Sequence, residues 1–369
     1  MNILVVANMY PSESDPVYGT FVKNFTDSVR ARNLGGRTDI CTICGRRSGK
    51  MAKLKAYSAY YLRLAAKLLF SRYDLVYVHT ITFPTPVLRL ASFFRRLPLV
   101  FNVHGGDVLT SNRLKLMLRN MCRPLLDKAC MIVVPSEYFR KVLEQEFPNL
   151  DSAKIACSPS GGISDKFYSP VKNRPMAGRQ TVLGFVSRID SGKGWELFVD
   201  LIARLRSEGV DCKGIMAGRG EQTELLRRYI SASPAAQYIE YIGPKTPDEL
   251  PALYASMDLF IFPSQLSESL GLVGIEAMAS GTPVIAADMA GPKTYITDGV
   301  NGYLFEPGNI DSLTACARCY LSLTDSEREA MRRAAFEHSL EYESEKVADD
   351  LYSRIQNCIK HPLNPESGW

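Results

Sequence analysis

Short apolar runs alternate along the chain with longer stretches in which apolar residues recur every three or four positions. Apolar runs of about four to eight residues are typical of strands buried in a parallel sheet, and the periodic stretches are typical of helices that cover it. The first series of predicted strands comprises Ile3–Asn8, Asp39–Cys44, Leu75–His79, Leu99–Val103, Met131–Pro135 and Lys154–Ser158. The second series comprises Thr181–Ile189, Lys213–Ala217, Tyr238–Gly243, Asp258–Pro263, Pro283–Ala287 and Gly302–Phe305.

The segment Tyr168–Arg179 separates the two series. It contains two prolines, a glycine and several charged residues, a composition typical of a linker. Strands that alternate with helices predict an α/β fold, and 369 residues exceed what one hydrophobic core normally serves. We therefore predict two Rossmann-like domains, 1–170 and 180–340. A helical tail over 341–369 is predicted to cross back to the first domain, with frayed residues after His361.

Composition limits the class of protein. Hydrophobic residues make up 46% and charged residues 22% of the chain, which is typical of a soluble globular protein. No apolar run reaches the roughly 18 residues of a membrane span, and Met1–Asn8 lacks the features of a signal peptide. We therefore expect a cytoplasmic protein with reduced thiols. The pairs Cys41/Cys44 and Cys316/Cys319 lie too far apart in sequence to indicate a zinc ribbon.

Basic residues are concentrated in the first half of the chain. Residues 1–170 contain 24 Lys and Arg against 12 Asp and Glu, whereas the whole chain contains 44 against 39. The segment Arg46–Arg72 alone contains eight basic residues and no acidic one. This asymmetry suggests that the first half faces an anionic partner.

The segment Lys50–Phe70 has the periodicity of an amphipathic helix. One hypothesis is that this helix packs on its own domain. The other is that it rests on anionic lipid, as a peripheral contact at the inner face of the membrane, and delivers a polyprenyl-diphosphate-linked acceptor. Both remain open because packing and lipid contact use different residues. The predicted apolar stripe comprises Leu54, Tyr57, Tyr61, Leu64 and Leu68, and its flanking cations are Lys50, Lys53, Arg63 and Lys67.

Two loops contain candidate anion-binding residues. Arg188 and Lys193 lie in a Gly-rich loop after the strand Thr181–Ile189, at the sheet edge where ligands bind in α/β folds. Arginine binds two phosphate oxygens at once and lysine provides a compact charge, although a solvated surface loop would have the same composition. Gly19 precedes a predicted helix, where backbone N–H groups approach anions, or it is a simple turn glycine.

The strongest local signal extends from Pro263 to Gly281. A strand leads into a polar loop that contains Glu268, and a helix that contains Glu276 begins near Gly271. The amides of the first helical residues, Leu272 and Val273, are free to point at a diphosphate. A carboxylate in this helix is placed to accept both hydroxyls of a ribose. Glu276 lies among apolar residues, where a carboxylate is costly unless it is paired or bound to a ligand.

Glu268 and Glu276 resemble the E-x7-E motif of the retaining glycosyltransferases of family 4, and the resemblance covers nearly the whole chain. The family implies the GT-B fold, in which two Rossmann-like domains with parallel sheets face each other across a cleft. It implies that Glu268 lies near the donor sugar, that the amides after Gly271 bind the β-phosphate and that Glu276 binds the ribose. Arg188 and Lys193 resemble the family's diphosphate-binding pair.

The resemblance extends to three further positions. Asn102–Asp107 is similar to the family's strand-end His-Gly, which implies that His104 approaches the transferred sugar. Gly19 is implied to let the first loop approach phosphate or acceptor, although many members have two glycines there. Gly218 and Gly243 are implied to border the nucleotide base. His79, also at a strand end, is interpreted as a hydrogen-bonded structural residue.

These residues predict a retaining, metal-independent glycosyltransferase. The chain has no Asp-x-Asp triplet, so Arg188, Lys193 and the helix start after Gly271 would neutralise the leaving diphosphate. No residue is clearly placed as a covalent nucleophile, which favours attack on the same face as the leaving group. We expect UDP or GDP sugar as donor substrate, a glycan or polyprenyl-diphosphate-linked acceptor, no cofactor and no nucleic acid. The alternatives are a sugar-nucleotide epimerase and a nucleotide-sugar-binding protein without turnover.

Overall fold

A computed structural model describes residues 1–16, 18–168 and 179–360. Tertiary contacts divide the chain into two compact units, Met1–Gly162 with the C-terminal segment from Glu345, and Ile163–Ser344. The division between the units thus precedes the segment predicted as a linker. Most of that linker, and the frayed end predicted after His361, lie outside the described residues.

Six parallel strands form the sheet described for the first unit. The elements are β1 (Asn2–Val6), α1 (Thr20–Arg32), β2 (Arg37–Cys41), α2 (Lys50–Phe70), β3 (Leu75–His79), α3 (Thr85–Phe94), β4 (Leu99–Asn102), α4 (Arg113–Lys128), β5 (Met131–Val134), α5 (Glu137–Glu146) and β6 (Ile155–Cys157). The strand order is β2-β1-β3-β4-β5-β6. The direction of winding therefore reverses between β1 and β3, and ligands bind at such reversals in open α/β sheets.

The described part of the second unit contains another sheet of six parallel strands. The elements are β7 (Thr181–Val186), α6 (Trp195–Ser207), β8 (Cys212–Ala217), α7 (Thr223–Ala232), β9 (Ile239–Tyr241), α8 (Leu250–Ala255), β10 (Leu259–Phe262), α9 (Leu272–Ala279), β11 (Val284–Ala287), β12 (Gly302–Phe305), α10 (Ile310–Ser322) and α11 (Asp325–Ser339). The order β12-β11-β10-β7-β8-β9 reverses between β7 and β10. This is the strand order of the Rossmann fold.

The final helix, α12 (Ser344–Lys360), packs on the first unit. Leu351 and Ile355 are buried in the core on one face of the first sheet. Arg32 of α1 binds the Asp349 carboxylate at 2.7 Å. The chain therefore returns to the unit in which it began.

The predicted α/β fold class is confirmed. Every apolar run that predicted a strand overlaps one, and Leu75–His79 and Gly302–Phe305 have the predicted bounds. Some strands end earlier than predicted, because the apolar run continues into buried residues of the loop that follows the strand. Ile189, for example, is fully buried but lies after the end of β7.

Helix α2 has the predicted bounds, but its predicted apolar stripe is partly wrong. Tyr60, Leu64 and Leu68 are the residues buried against the first unit. Leu54 is 61% exposed, because Tyr60 occupies the centre of the inward face and Leu54 lies off that face. No helix among the described residues is both long enough and apolar enough to cross a bilayer.

Candidate functional site

The loops that follow β7 and β10 meet at the carboxyl edge of the second sheet. The amide of Gln265 donates a hydrogen bond to the Gly192 carbonyl at 2.8 Å. Gly194 has φ +74, and a Cβ atom at this position would overlap the Pro263 carbonyl oxygen. Glycine is therefore required where the two loops touch, which is the point at which the strand order of this sheet reverses.

Lys193 and Glu268 form an ion pair across these two loops. Lys193 Nζ lies 2.5 Å from Glu268 Oε1, and the Ser264 hydroxyl donates to the same oxygen at 2.8 Å. The side chains of Lys193 and Glu268 are only 11% and 21% exposed. The Glu268 carbonyl also accepts from the Gly291 amide at 2.8 Å. Both the backbone and the carboxylate of Glu268 are therefore held in place.

Arg188 does not join this pair. Its side chain is 72% exposed, and its guanidinium binds Asp190 Oδ2 at 2.8 Å. Asp190 also accepts a hydrogen bond from the Glu221 amide at 3.0 Å. Each of the two predicted phosphate-binding cations is thus paired with a carboxylate, but Lys193 is largely buried whereas Arg188 lies at the surface.

Helix α9 begins at the same edge of the sheet. Gly271 precedes its first residue with φ +86, and its carbonyl accepts from the Tyr295 hydroxyl at 3.0 Å. A Cβ atom on Gly274 would overlap that hydroxyl, so glycine lets Tyr295 pack against the first turn. The amides of Leu272 and Val273 have no carbonyl partner within the helix and carry the positive end of its dipole.

Glu276 lies one turn further into α9. It accepts a hydrogen bond from the Tyr254 hydroxyl at 3.0 Å. Burial raises the pKa of the Glu276 carboxyl, and the hydrogen bond from Tyr254 opposes this only in part. An ionised carboxylate here would be stabilised by further hydrogen-bond donors.

Gly218 and Gly243 follow the neighbouring strands β8 and β9. The Gly218 amide donates to the Gly243 carbonyl at 2.9 Å, and the Tyr241 hydroxyl donates to the Gly218 carbonyl at 2.6 Å. Gly218 has φ +135, and a side chain there would overlap the Ser187 carbonyl oxygen. The structure thus brings the predicted residues of the second unit to one edge of one sheet.

In the first unit, His104 forms a hydrogen bond with His79. His79 Nδ1 and His104 Nε2 are 3.0 Å apart, and the rings lie nearly parallel, with an interplanar angle of 12°. His79 ends β3 and pairs in register with Asn102, two residues before His104. Sequence reasoning interpreted His79 as structural and missed this contact. Each histidine stands at the end of an apolar run that forms a strand, and the two strands are neighbours in the sheet. Those positions in the sequence are the feature that could have predicted the contact.

Gly19 precedes the helix that contacts the same histidines. Its φ is +75, and a Cβ atom would approach the Tyr10 nitrogen to 2.8 Å. Helix α1 begins directly after Gly19, and the ring of Phe21 lies 4.5 Å from the His104 ring. The structure therefore places the predicted residues of the first unit, Gly19 and His104, in one region.

Burial shapes the protonation of both histidines. It lowers the pKa of His79 well below its usual value, and proximity to His104 adds to this shift. Burial also lowers the pKa of His104, although the Asp107 carboxylate opposes the shift. Both rings are therefore neutral at neutral pH.

Two family models match consecutive parts of the chain. Residues 25–161 match the family described as Glycosyltransferase Family 4, and residues 171–338 match Glycosyl transferases group 1. The first match contains His79 and His104, and the second contains Lys193, Glu268 and Glu276. The two matches together cover most of the chain.

Two curated relatives are 28% and 32% identical to this chain over part of their length. The lipopolysaccharide 1,2-N-acetylglucosaminetransferase of Salmonella typhimurium is 28% identical over 66% of this chain and 67% of its own. The D-inositol 3-phosphate glycosyltransferase of Mycolicibacterium smegmatis is 32% identical over 64% of this chain and 56% of its own. The matched region spans 67% of the first of these two relatives and 56% of the second.

Solved structures support the fold over nearly the full chain. Anabaena HepE in complex with UDP and glucose superposes with a TM-score of 0.73 and 19% identity, covering 97% of this chain and 100% of that one. HepE has also been solved with UDP-glucose. At this identity the likeness shows the GT-B fold.

Proposed function

Because the chain belongs to glycosyltransferase family 4, we propose that it transfers a sugar from a nucleotide-diphosphate donor to a hydroxyl group with retention of configuration. The complexes of HepE with UDP and UDP-glucose support UDP as the nucleotide. The lipopolysaccharide transferase of Salmonella supports a glycan or lipid-linked glycan as acceptor. The proposed role is therefore the assembly of a surface polysaccharide or glycolipid.

One observation carries this proposal. Lys193, Glu268 and the first turn of α9 lie at the reversal point of the second sheet, on the loops that follow β7 and β10. Lys193 and the amides of Leu272 and Val273 supply positive charge for a diphosphate. Burial raises the pKa of the Glu276 carboxyl, so its ionised form would be stabilised by hydrogen bonds that two ribose hydroxyls donate. These residues together would bind both the diphosphate and the ribose of a nucleoside diphosphate.

In the proposed reaction the bond between the anomeric carbon and the β-phosphate oxygen breaks, and negative charge grows on that phosphate. Fixed cations and helix amides stabilise such charge without needing to reorganise. Lys193 and the amides at the start of α9 provide this stabilisation, and the exposed Arg188 adds a further positive charge. The sequence has no Asp-x-Asp triplet, the motif with which some transferases hold a metal ion. The proposal is therefore a metal-independent transfer.

The proposed attack occurs on the face that the diphosphate leaves. The acceptor oxygen bonds to the anomeric carbon, and its proton passes to the departing phosphate oxygen. Lys193 and Ser264 both bind Oε1 of Glu268, which supports a role for Oε2 in binding a sugar hydroxyl. Contact between His104 and the transferred sugar is the corresponding proposal for the first unit.

Peripheral membrane contact is the second part of the proposal. On α2, Met51, Leu62 and Leu69 are 67%, 72% and 49% exposed, on the face opposite the buried Tyr60. Phe93 of the neighbouring helix α3 is 66% exposed. Apolar side chains facing outward among lysines and arginines are typical of helices that lie in a lipid interface. A surface of this kind would hold the enzyme where a lipid-linked acceptor is found.

Donor turnover provides the test of this function. The protein is incubated with UDP-glucose, UDP-galactose or UDP-N-acetylglucosamine in the presence of EDTA, with water as acceptor. We expect UDP release from at least one donor, and proton NMR recorded before mutarotation should show the α-anomer of the free sugar. Release of the β-anomer, loss of activity in EDTA, or no release from any donor would contradict the proposal.

A further inference from the structure

We propose that His79 is a positioning residue that fixes His104 as the Nδ1–H tautomer, so that His104 presents a hydrogen-bond donor to its ligand. The identity of that ligand, a transferred sugar, rests on the proposed function. The arrangement of protons between the two rings does not. The contact that carries the inference is the 3.0 Å separation of His79 Nδ1 and His104 Nε2.

Two neutral imidazoles share one proton in such a contact. Either His79 Nδ1 donates to His104 Nε2, or His104 Nε2 donates to His79 Nδ1. Each neutral ring has one N–H group, so the choice at the contact also determines which of the other two nitrogens carries a proton. The surroundings of His79 Nε2 therefore decide between the two arrangements.

His79 Nε2 is buried and has no hydrogen-bond partner among the described residues. The ring lies between aromatic side chains, with centroids 5.0 Å from Phe25 and 5.2 Å from Tyr77. A proton on Nε2 would leave a buried N–H group without an acceptor, which is unfavourable because the group loses its hydrogen bond to water. Orphaned buried N–H groups are rarer than acceptors with unused lone pairs. The proton of His79 is therefore on Nδ1, and His79 donates.

This assignment determines what His104 can do. Its Nε2 accepts from His79 and is not available to bind a proton from an acceptor hydroxyl. Its own proton is on Nδ1, which makes that atom a donor. His104 thus binds an oxygen of its ligand by donating a hydrogen bond, and it does not act as a general base.

The backbone around the pair is also fixed. The Asp107 carboxylate accepts from the His104 amide at 3.0 Å and from the Ile81 amide at 3.2 Å. Thr80, between His79 and Ile81, adopts φ +77, a conformation rarely found for a β-branched residue. These contacts hold the two strand ends so that the rings meet in one geometry.

The protonation of each nitrogen is measured by long-range proton–nitrogen NMR on the 15N-labelled full chain. The chain has only four histidines, so His104→Gln identifies the resonances of His104 and His79→Asn those of His79. We expect Nδ1 protonated and Nε2 unprotonated in both His79 and His104. A proton on Nε2 of His104 in the wild type would overturn the proposal.

Two substitutions of His79 separate positioning from simple packing. His79→Asn retains an amide N–H near the place of Nδ1, whereas His79→Leu removes the donor. We expect the His104 tautomer to persist in H79N and to shift toward Nε2–H in H79L. An unchanged His104 spectrum in H79L would overturn the proposal, and if H79L does not fold, the wild-type and H79N spectra still decide the question.

Turnover distinguishes this proposal from the proposed function. For a donor that the wild type turns over, H79L should lower kcat roughly tenfold with little change in KM, and H79N should recover most of the rate. Equal kcat for H79L and the wild type would overturn the positioning role. If the wild type turns over no donor, the proposed function fails while the tautomer measurement still stands or falls separately.

Discussion

The ammonium group of Lys193 lies 2.5 Å from Glu268 Oε1 and thereby joins the loops that follow β7 and β10. A cation that is proposed to meet a diphosphate is thus held by a carboxylate that is proposed to meet the sugar. The ion pair keeps both side chains at the site, but it also makes Glu268 compete with phosphate for the charge of Lys193.

This competition predicts opposite effects of two substitutions on UDP binding. Lys193→Met removes a charge from the diphosphate and should weaken UDP binding roughly 10- to 100-fold, since hydrogen bonds to charged groups contribute about 1.5–3 kcal/mol. Glu268→Gln removes the competing charge, so UDP binding should stay equal or tighten. Turnover should still fall by more than tenfold in E268Q. Calorimetric titration with UDP and assays of donor hydrolysis measure the two effects.

Lys67→Met is the matched control, because Lys67 also pairs with a carboxylate, that of Asp39 at 3.5 Å, but lies on α2 in the first unit. We expect K67M to bind UDP as the wild type does. Weaker UDP binding by E268Q than by the wild type would show that Glu268 does not compete for Lys193.

Glu276→Gln should weaken nucleotide binding without destabilising the free protein. The amide loses the charge that would accept two ribose hydroxyls, so we expect UDP affinity to fall roughly 10- to 100-fold. The matched control is Glu240→Gln on the exposed part of β9. UDP binding by E276Q at the wild-type level would contradict the assignment of the ribose to Glu276.

The pKa of Glu276 also determines how E276Q changes stability with pH. Because the folded-state pKa is raised, ionisation of Glu276 costs stability as pH increases from the unfolded-state value through the folded-state value. The E276Q variant has no carboxyl group to ionise at this position, so it does not lose this stability as the pH rises. Its Tm should therefore equal or exceed that of the wild type at pH 7.5, with a smaller advantage at pH 4.5. A lower Tm for E276Q at pH 7.5 would contradict this argument.

The sequence was sufficient to predict the strands and the elements in which Glu268 and Glu276 lie. Buried parallel strands such as β3 are apolar at almost every position, so their runs stand out without any tertiary information. Glu276 was identifiable because a carboxylate among apolar helix residues needs an explanation. Its placement in α9, and that of Glu268 in the preceding loop, follow from the local sequence.

The side-chain pairs could not be predicted. Lys193 and Glu268 are far apart in sequence, and their contact depends on β7 lying next to β10. The hydrogen bond between His79 and His104 depends on the register of β3 with β4. Leu54 was assigned to the wrong face because α2 has apolar residues on two faces, and only packing selects the buried one.

Gly19 and Gly35 allow the close approach at the first loop to be measured separately from backbone strain. Both have φ +75, but a Cβ atom at Gly19 would meet the backbone of Tyr10 whereas one at Gly35 would meet nothing within 4 Å. Gly35→Ala should lower the free energy of unfolding by about 1–2 kcal/mol, the cost of placing an alanine in the left-handed conformation. Gly19→Ala should cost about 1–3 kcal/mol more because the loop is overpacked. Urea unfolding of the two variants measures this difference, and equal midpoints would contradict it.

Vesicle binding tests the exposed apolar face of α2. Leu62→Gln should weaken binding to anionic vesicles about tenfold or more, since burial of a leucine side chain contributes about 1.5–3 kcal/mol. Lys53→Gln should weaken binding about fivefold, because a lysine near anionic lipid contributes about 1 kcal/mol. Leu225→Gln, which changes an exposed leucine of the second unit, is the control. The membrane proposal would be contradicted if vesicle binding did not weaken as salt is added, or if the L62Q variant bound vesicles as the wild type does.

The edge of the second sheet is proposed to bind a nucleotide-diphosphate sugar without metal. Calorimetric titration in EDTA with UDP-, GDP- and ADP-sugars, on the wild type and on the double variant K193M/E276Q, tests it most directly. We predict that a UDP-sugar binds the wild type and that the double variant loses this binding while its fold, judged by circular dichroism, persists. Failure of every UDP-sugar to bind the wild type, or binding that survives in the double variant, would contradict the claim.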